Sequence, residues 1–222
     1  MDRCQLKTRK SVESKLAARR LYAVLLMLKY FRPGANLFAC VFWILLCAGT
    51  ALPGMAQIMS AEDLNGKSID PFAEHGKQAV VLLFVRTDCP ISNRYAPTIQ
   101  KLSEKFQGQV KFWLVYPDAD ESAVRIRGHI SQFRYQISAL RDVHHALVKR
   151  AEATILPESA VFGPDGKLKY HGRIDNWYED FGRARPAPTT HELEDAIRAT
   201  LDGRTVAPDR ASAVGCYIAD VK

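Results

Sequence analysis

Gln78 to Val85, QAVVLLFV, is an unbroken apolar run rich in β-branched residues. A half-exposed strand alternates apolar and polar side chains, so an uninterrupted run fits a strand covered on both faces. Ser92 to Phe106 then shows helical spacing, with Ile99, Leu102 and Phe106 on one stripe. Gln109 to Tyr116 (QVKFWLVY) reads as a second strand that ends at Pro117-Asp118. Two strands joined through such a crossover run parallel. The spacing further predicts a helix over Glu121 to Phe133, a short edge strand over Ile137 to Leu140, and a helix over His144 to Ala151. Glu158 to Phe162 and Lys167 to Gly172 flank the turn signal Gly163-Pro164-Asp165-Gly166, a hairpin. Thr190 to Leu201 is a last helix, with Leu193, Ile197 and Leu201 four apart and Thr189 or Thr190 as its cap. Residues 202–222 carry turn residues and no clear period. Together these elements describe an α/β fold.

Charge separates this body from what precedes it. The 222 residues carry a net +7, which would ordinarily raise nucleic acid as a partner. Residues 1–56, however, hold nine Lys and Arg against two acids, while residues 57–222 hold 22 of each sign. The excess therefore belongs to the leader, and no nucleic-acid partner is implied. Lys29 and Arg32 precede an apolar stretch from Ala35 to Leu52, followed by Pro53-Gly54-Met55-Ala56. That order is a secretory signal cut after Ala56, with Met27 as a well-placed start. The same stretch, 35–52, approaches the ~17–20 apolar residues of a membrane anchor. Under either reading the body is exported to a periplasmic or extracellular space. The expected organisation is a signal or anchor over 1–56, a domain over 57–205 and a cysteine-containing tail over 206–222.

Five cysteines reduce to two in the exported part, Cys89 and Cys216. Outside the cytoplasm such a pair can form a lasting structural disulfide. Cys89, however, falls at the C-terminal end of the first buried strand, just before a helix, where α/β sheets place their active sites. A helix N-terminus supplies unpaired N–H groups and positive potential, the surroundings in which thiols ionise below ~8.5. Pro90 suits the first helical turn, where its missing N–H is no loss. Cys89 is thus a candidate nucleophile, with Cys216 as a candidate resolving thiol if their Cα atoms come within ~5–6 Å. Thr87, Asp88, Ser92, Arg86 and Arg94 are the candidate environment of the thiolate.

At these residues the chain resembles the thioredoxin-like superfamily, in particular the exported redoxin or alkyl hydroperoxide reductase/thiol-specific antioxidant (AhpC/TSA) type. Asp63-Leu64-Asn65-Gly66-Lys67, Thr87-Asp88-Cys89-Pro90-Ile91-Ser92, Ile155-Leu156-Pro157-Glu158 and Tyr170-His171-Gly172-Arg173-Ile174-Asp175 carry the likeness, with Val214-Gly215-Cys216-Tyr217-Ile218 in the tail. The resemblance implies a central mixed sheet flanked by helices, a redox-active Cys89, and a cis-proline loop at Pro157. It also implies that the backbone of Leu156 pairs with extended substrate. Three positions depart from relatives. Ser92 stands where thioredoxins have a second cysteine, and Arg86 and Leu82 stand where peroxiredoxins have the threonine and proline of the peroxide loop. The function expected is thiol–disulfide exchange with protein or small-molecule disulfides and thiols, with peroxide reduction and a non-enzymatic disulfide-stapled binding module as alternatives.

A copper site of Cys89 with His144, His145 and His171 is disfavoured. The copper chaperones sharing this fold use a second loop cysteine where this chain has Asn93, and adjacent histidines on a helix face apart. No organic cofactor and no metal is implied, since electrons would pass through the thiols. Trp177, Tyr178 and Phe181, followed by Arg183, Arg185 and Pro186, read as a surface loop before the last helix.

Overall fold

In the computed structural model, residues 61–73 and 78–219 are described. The signal or anchor expected at 1–56 lies outside them. Strands β1 (Ala61–Asp63) and β2 (Ser68–Ile69) form a hairpin. Asp63 Oδ1 ties that turn by accepting the amides of Asn65 and Lys67, and Gly66 takes a left-handed φ of 78°.

The apolar run becomes β3 (Ala79–Phe84). Helix α1 (Pro90–Lys105) begins two residues before the amphipathic pattern, because Pro90 serves its first turn. Then come β4 (Val110–Tyr116), α2 (Ala123–Phe133) capped by the Ser122 hydroxyl, β5 (Ser138–Arg141) and α3 (Ala146–Ala151). Strand β6 (Ile155–Leu156) precedes Pro157, and β7 (Glu158–Phe162) and β8 (Leu168–Gly172) form the expected hairpin. A small hairpin of β9 (Tyr178–Asp180) and β10 (Arg183–Ala184) leads to α4 (Glu192–Leu201). In the tail lie β11 (Arg210–Ala211) and β12 (Cys216–Tyr217).

One mixed sheet runs in the order β11-β8-β7-β3-β4-β5-β1-β2. β3, β4 and β5 are parallel, as the crossover required, and β7 lies antiparallel on the other side of β3. Odd residues of β3 (Ala79, Val81, Leu83) pack on one face with Ile99, Leu102, Ile126, Leu193 and Ile197 of α1, α2 and α4. Even residues (Val80, Leu82, Phe84) pack on the other with Leu147, Val148 and Ala151 of α3. Burial of both faces explains why the run shows no alternation. It also fixes the end of β3, and hence the start of α1, against the middle of the sheet.

Three expectations are corrected. β5 is not an edge strand, because β1 pairs along its outer side (Glu62↔Arg141, Asp63↔Leu140). Neither Thr189 nor Thr190 caps α4, which follows His191 without a side-chain cap; both threonine amides donate instead to Asn176 Oδ1. The tail is not without regular structure. β11 joins the main sheet beside β8, and β12 pairs antiparallel with β6, Cys216 opposite Leu156. Strands of two residues are too short to show a period.

Candidate active site

Cys89 is the N-cap residue of α1, at the head of the helix that follows the central strand. It is 1% exposed, and its side chain makes no capping bond. Its sulfur lies 3.4 Å from the carbonyl oxygen of Leu156, directly before the cis Leu156–Pro157 peptide. The Cys216 sulfur donates a hydrogen bond to Cys89 Sγ at 2.9 Å, and both cysteines are thiols rather than a disulfide. Strand β12 brings them together: pairing Cys216 against Leu156 carries the tail thiol to the sulfur across the cis-proline loop. Burial above all, then the hydrogen bond to Cys89 and the charge of that sulfur, push the Cys216 thiol up to about 12.

Glu158, which the sequence reading passed over, shapes the cis-proline loop. It is buried, and its Oε2 accepts the amides of Thr154 and Ile155 at 2.8 and 3.0 Å. His171 Nδ1 lies 3.4 Å from the other oxygen. Ahead of Cys89 in the chain, Thr87 is held at both its amide and its carbonyl. The Thr87 amide donates to buried Glu121 at 2.8 Å, and the Thr87 carbonyl accepts from Asn93 Nδ2 at 3.1 Å. Asn93 Oδ1 meets His129 Nε2, and His129 Nδ1 meets the Tyr116 hydroxyl, each at 2.8 Å. Since the amide oxygen can only accept, His129 carries its proton on Nε2 and accepts from Tyr116. Burial pushes the Glu121 carboxyl up.

Burial lowers His129 from 6.5 to about 4, which makes the network sensitive to acid. As pH drops below about 6.5 the unfolded chain binds a proton that the folded ring refuses, so stability is lost from there down toward 4. Replacing His129 with Gln removes this contribution. Urea unfolding at pH 7 and pH 5 is expected to show a shallower loss for the variant than for the natural chain. Equal losses would contradict the buried neutral ring.

The remaining candidates are placed as follows. Asp88 is half exposed and paired with Arg86 Nε at 2.7 Å and Arg125 at 3.4 Å. Arg86 also meets buried Asp118 at 3.1 Å, so its charge is engaged by two carboxylates. Arg94 is not brought to the thiol; it reaches the Tyr178 hydroxyl at 3.4 Å. Ser92 is fully buried with no hydrogen-bond partner on its hydroxyl, so it neither caps α1 nor bonds the sulfur. His145 bonds the Pro117 carbonyl while His171 sits at Glu158, two separate polar clusters. The aromatic loop closes on itself, with Trp177 Nε1 donating to the Arg185 carbonyl and the Trp177 ring packed edge-on to Tyr95 of α1. Among the described residues no helix is long and apolar enough to cross a membrane.

A mixed sheet with helices on both faces, a cysteine at the head of the helix after the central strand, and a cis-proline facing it define a thioredoxin-like protein. The profile of the AhpC/TSA family matches residues 54–171, more than half of the chain, and the chain belongs to that family. Cys89 and Pro157 lie inside the matched segment, whereas Cys216 and the strand that carries it lie beyond it. Among solved structures, a hypothetical protein from Sinorhizobium meliloti 1021 superposes with a TM-score of 0.60 at 20% identity, over 72% of this chain and 88% of that one. An uncharacterized conserved protein from Geobacillus kaustophilus gives 0.61 at 20% identity, over 72% and 86%. These likenesses show the fold. No curated protein matches the chain in sequence.

Proposed function

We propose that this chain is an exported thiol–disulfide oxidoreductase that cycles between the Cys89/Cys216 dithiol and a Cys89–Cys216 disulfide. The contact of the two sulfurs beside the cis-proline carries the reading. Cys89 as thiolate attacks one sulfur of a substrate disulfide, forming a mixed disulfide and releasing the first substrate thiolate. Cys216 then attacks Cys89 Sγ and expels the second. The protein dithiol is thereby oxidised by two electrons, and the substrate disulfide is reduced to two thiols. An external dithiol reverses the step, and no cofactor takes part.

The order in which the sulfurs act follows from their coupling. Before reaction, Cys216 keeps its proton, because burial, the bond to Cys89 and the charge of Cys89 all oppose its ionisation. Once Cys89 is bound in the mixed disulfide its charge is gone, the opposition eases, and Cys216 becomes the attacking group. Leu156 and Pro157 form the edge at which an extended substrate docks. Thr87, Asp88 and Pro90 hold the nucleophile at the helix start. Peroxide reduction ranks second, because Arg86 and Leu82 occupy the positions of the peroxide loop.

Excess hydroxyethyl disulfide tests the proposal. The natural chain is expected to release two equivalents of mercaptoethanol for each Cys89 oxidised. Cys216→Ser is expected to release one and to retain the other half as a mixed disulfide on Cys89. Absence of that adduct in the variant would refute the proposal. Peptide mapping separates Cys89 from the leader cysteines Cys4, Cys40 and Cys47.

A further inference from the structure

The tail reaches the sheet at two points, and each is made possible by a glycine. At the first, β11 lies along β8, where Gly172 has a φ of 143° and a methyl group would fall 2.0 Å from the Ala211 carbonyl oxygen. At the second, β12 lies along β6, where a methyl on Gly215 would fall 1.9 Å from the Leu156 carbonyl oxygen. Beyond it the Ile218 amide donates to the Thr154 carbonyl at 3.0 Å. The Ile218 side chain is 6% exposed and joins the core on the α3 face of the sheet. The result is a two-residue strand held on its N-terminal side by a backbone approach only glycine permits, and on its C-terminal side by a buried aliphatic plug.

This strand occupies the backbone edge that the proposed reaction assigns to substrate. An extended peptide that pairs with Leu156 as Cys216 does would need the place β12 now holds, since a strand edge accepts one neighbour. Cys89 is correspondingly closed off. Cys216 is half-buried, its sulfur lies against that of Cys89, and it holds its proton, so it is the poorer nucleophile. With the strand in place, neither sulfur can begin exchange with an outside disulfide. Without it, Cys216 is not placed to finish the reaction.

We infer that residues 215–218 are a latch that alternates with substrate on the Leu156 edge, opening to admit the disulfide to Cys89 and reseating to deliver Cys216 to the mixed disulfide. This rests on the oxidoreductase reading and adds regulation to the same site. Gly215 and Ile218 are its positioning residues. Loosening the latch should therefore move the two half-reactions in opposite directions, which a change in general stability would not do. The first half speeds up because its rate scales with the open fraction. The second slows because Cys216 is no longer held in register.

Gly215→Ala tests this in the full-length chain. Its backbone is not in the left-handed region, so the added methyl acts through its clash with the Leu156 carbonyl and its close approach to Ile155 Cγ2, both on β6. Iodoacetamide labelling of Cys89, followed by peptide mapping, is expected to accelerate at least about tenfold. Closure of the Cys89 mixed disulfide by Cys216 is expected to slow by a similar factor. Ile218→Ala, which loosens the other end by removing the buried plug, is expected to give the same pair of shifts. Gly128→Ala on α2, where a methyl meets nothing within 4 Å, is expected to give neither. Unchanged labelling of Cys89 in both latch variants, or both steps moving the same way, would overturn the latch. Faster labelling with no mixed disulfide in any variant would support the latch and refute the oxidoreductase reading instead.

Discussion

Replacing Cys89 with Ser is expected to abolish disulfide exchange, by on the order of 10³-fold or more. A serine at the head of α1 retains the position but not the chemistry, because a hydroxyl does not ionise near neutral pH and makes no stable bond to sulfur. Cys216 cannot readily substitute for it, since burial, the largest cause of its raised thiol pKa, persists when Cys89 is replaced. Part of that elevation comes from Cys89 itself, so Cys89→Ser is also expected to lower the Cys216 value. Alkylation of Cys216 against pH, in both chains, reads this directly. A variant that keeps exchange, or leaves the Cys216 titration unmoved, would show that the two sulfurs are not coupled.

Glu158→Ala is expected to cost about 2–3 kcal/mol of stability, the range for leaving hydrogen-bond donors without their acceptor. The carboxylate is 5% exposed and holds the amides of Thr154 and Ile155 through one oxygen. Without it two part-buried amides lose their acceptor immediately before the cis-proline. Glu158→Gln retains an oxygen in the same place and is expected to recover most of the loss. Urea unfolding of the reduced protein measures both variants. An alanine variant within about 1 kcal/mol of the natural chain would mean that another group or water replaces the carboxylate. The effect should extend to function, because Leu156, whose carbonyl meets Cys89, is the next residue along the same short loop.

The long elements were legible because one period dominates each of them. β3 and α1 follow from the burial of QAVVLLFV and the stripe of Ile99, Leu102 and Phe106, and Cys89 falls between them. The polar frame of the site was not legible for the opposite reason. Glu121, Asn93 and His129 look like ordinary surface residues one at a time, and only contacts spanning more than thirty positions (Thr87 with Glu121, Asn93 with His129) join them into one network. Arg94 and Ser92 were expected near the sulfur on proximity in sequence alone. The helix instead turns Arg94 toward Tyr178 and buries Ser92 with no partner on its hydroxyl. In the tail the signals were Gly215-Cys216 and Gly172. Their meaning depends on backbone approaches from Leu156 and Ala211, which no local pattern encodes.

Mass spectrometry of the protein as the cell produces it, with peptide mapping before and after reduction, tests the central claim most directly. After one equivalent of a small disulfide, a single cross-linked peptide joining Cys89 to Cys216 is expected, two hydrogens lighter than the dithiol and restored by dithiothreitol under native conditions. The same digest also establishes the mature N-terminus, expected at Gln57 for a cleaved signal. Cys89 left permanently joined to the oxidant's own thiol, or a Cys89–Cys216 bridge that withstands strong reductant in the folded protein, would contradict a redox pair.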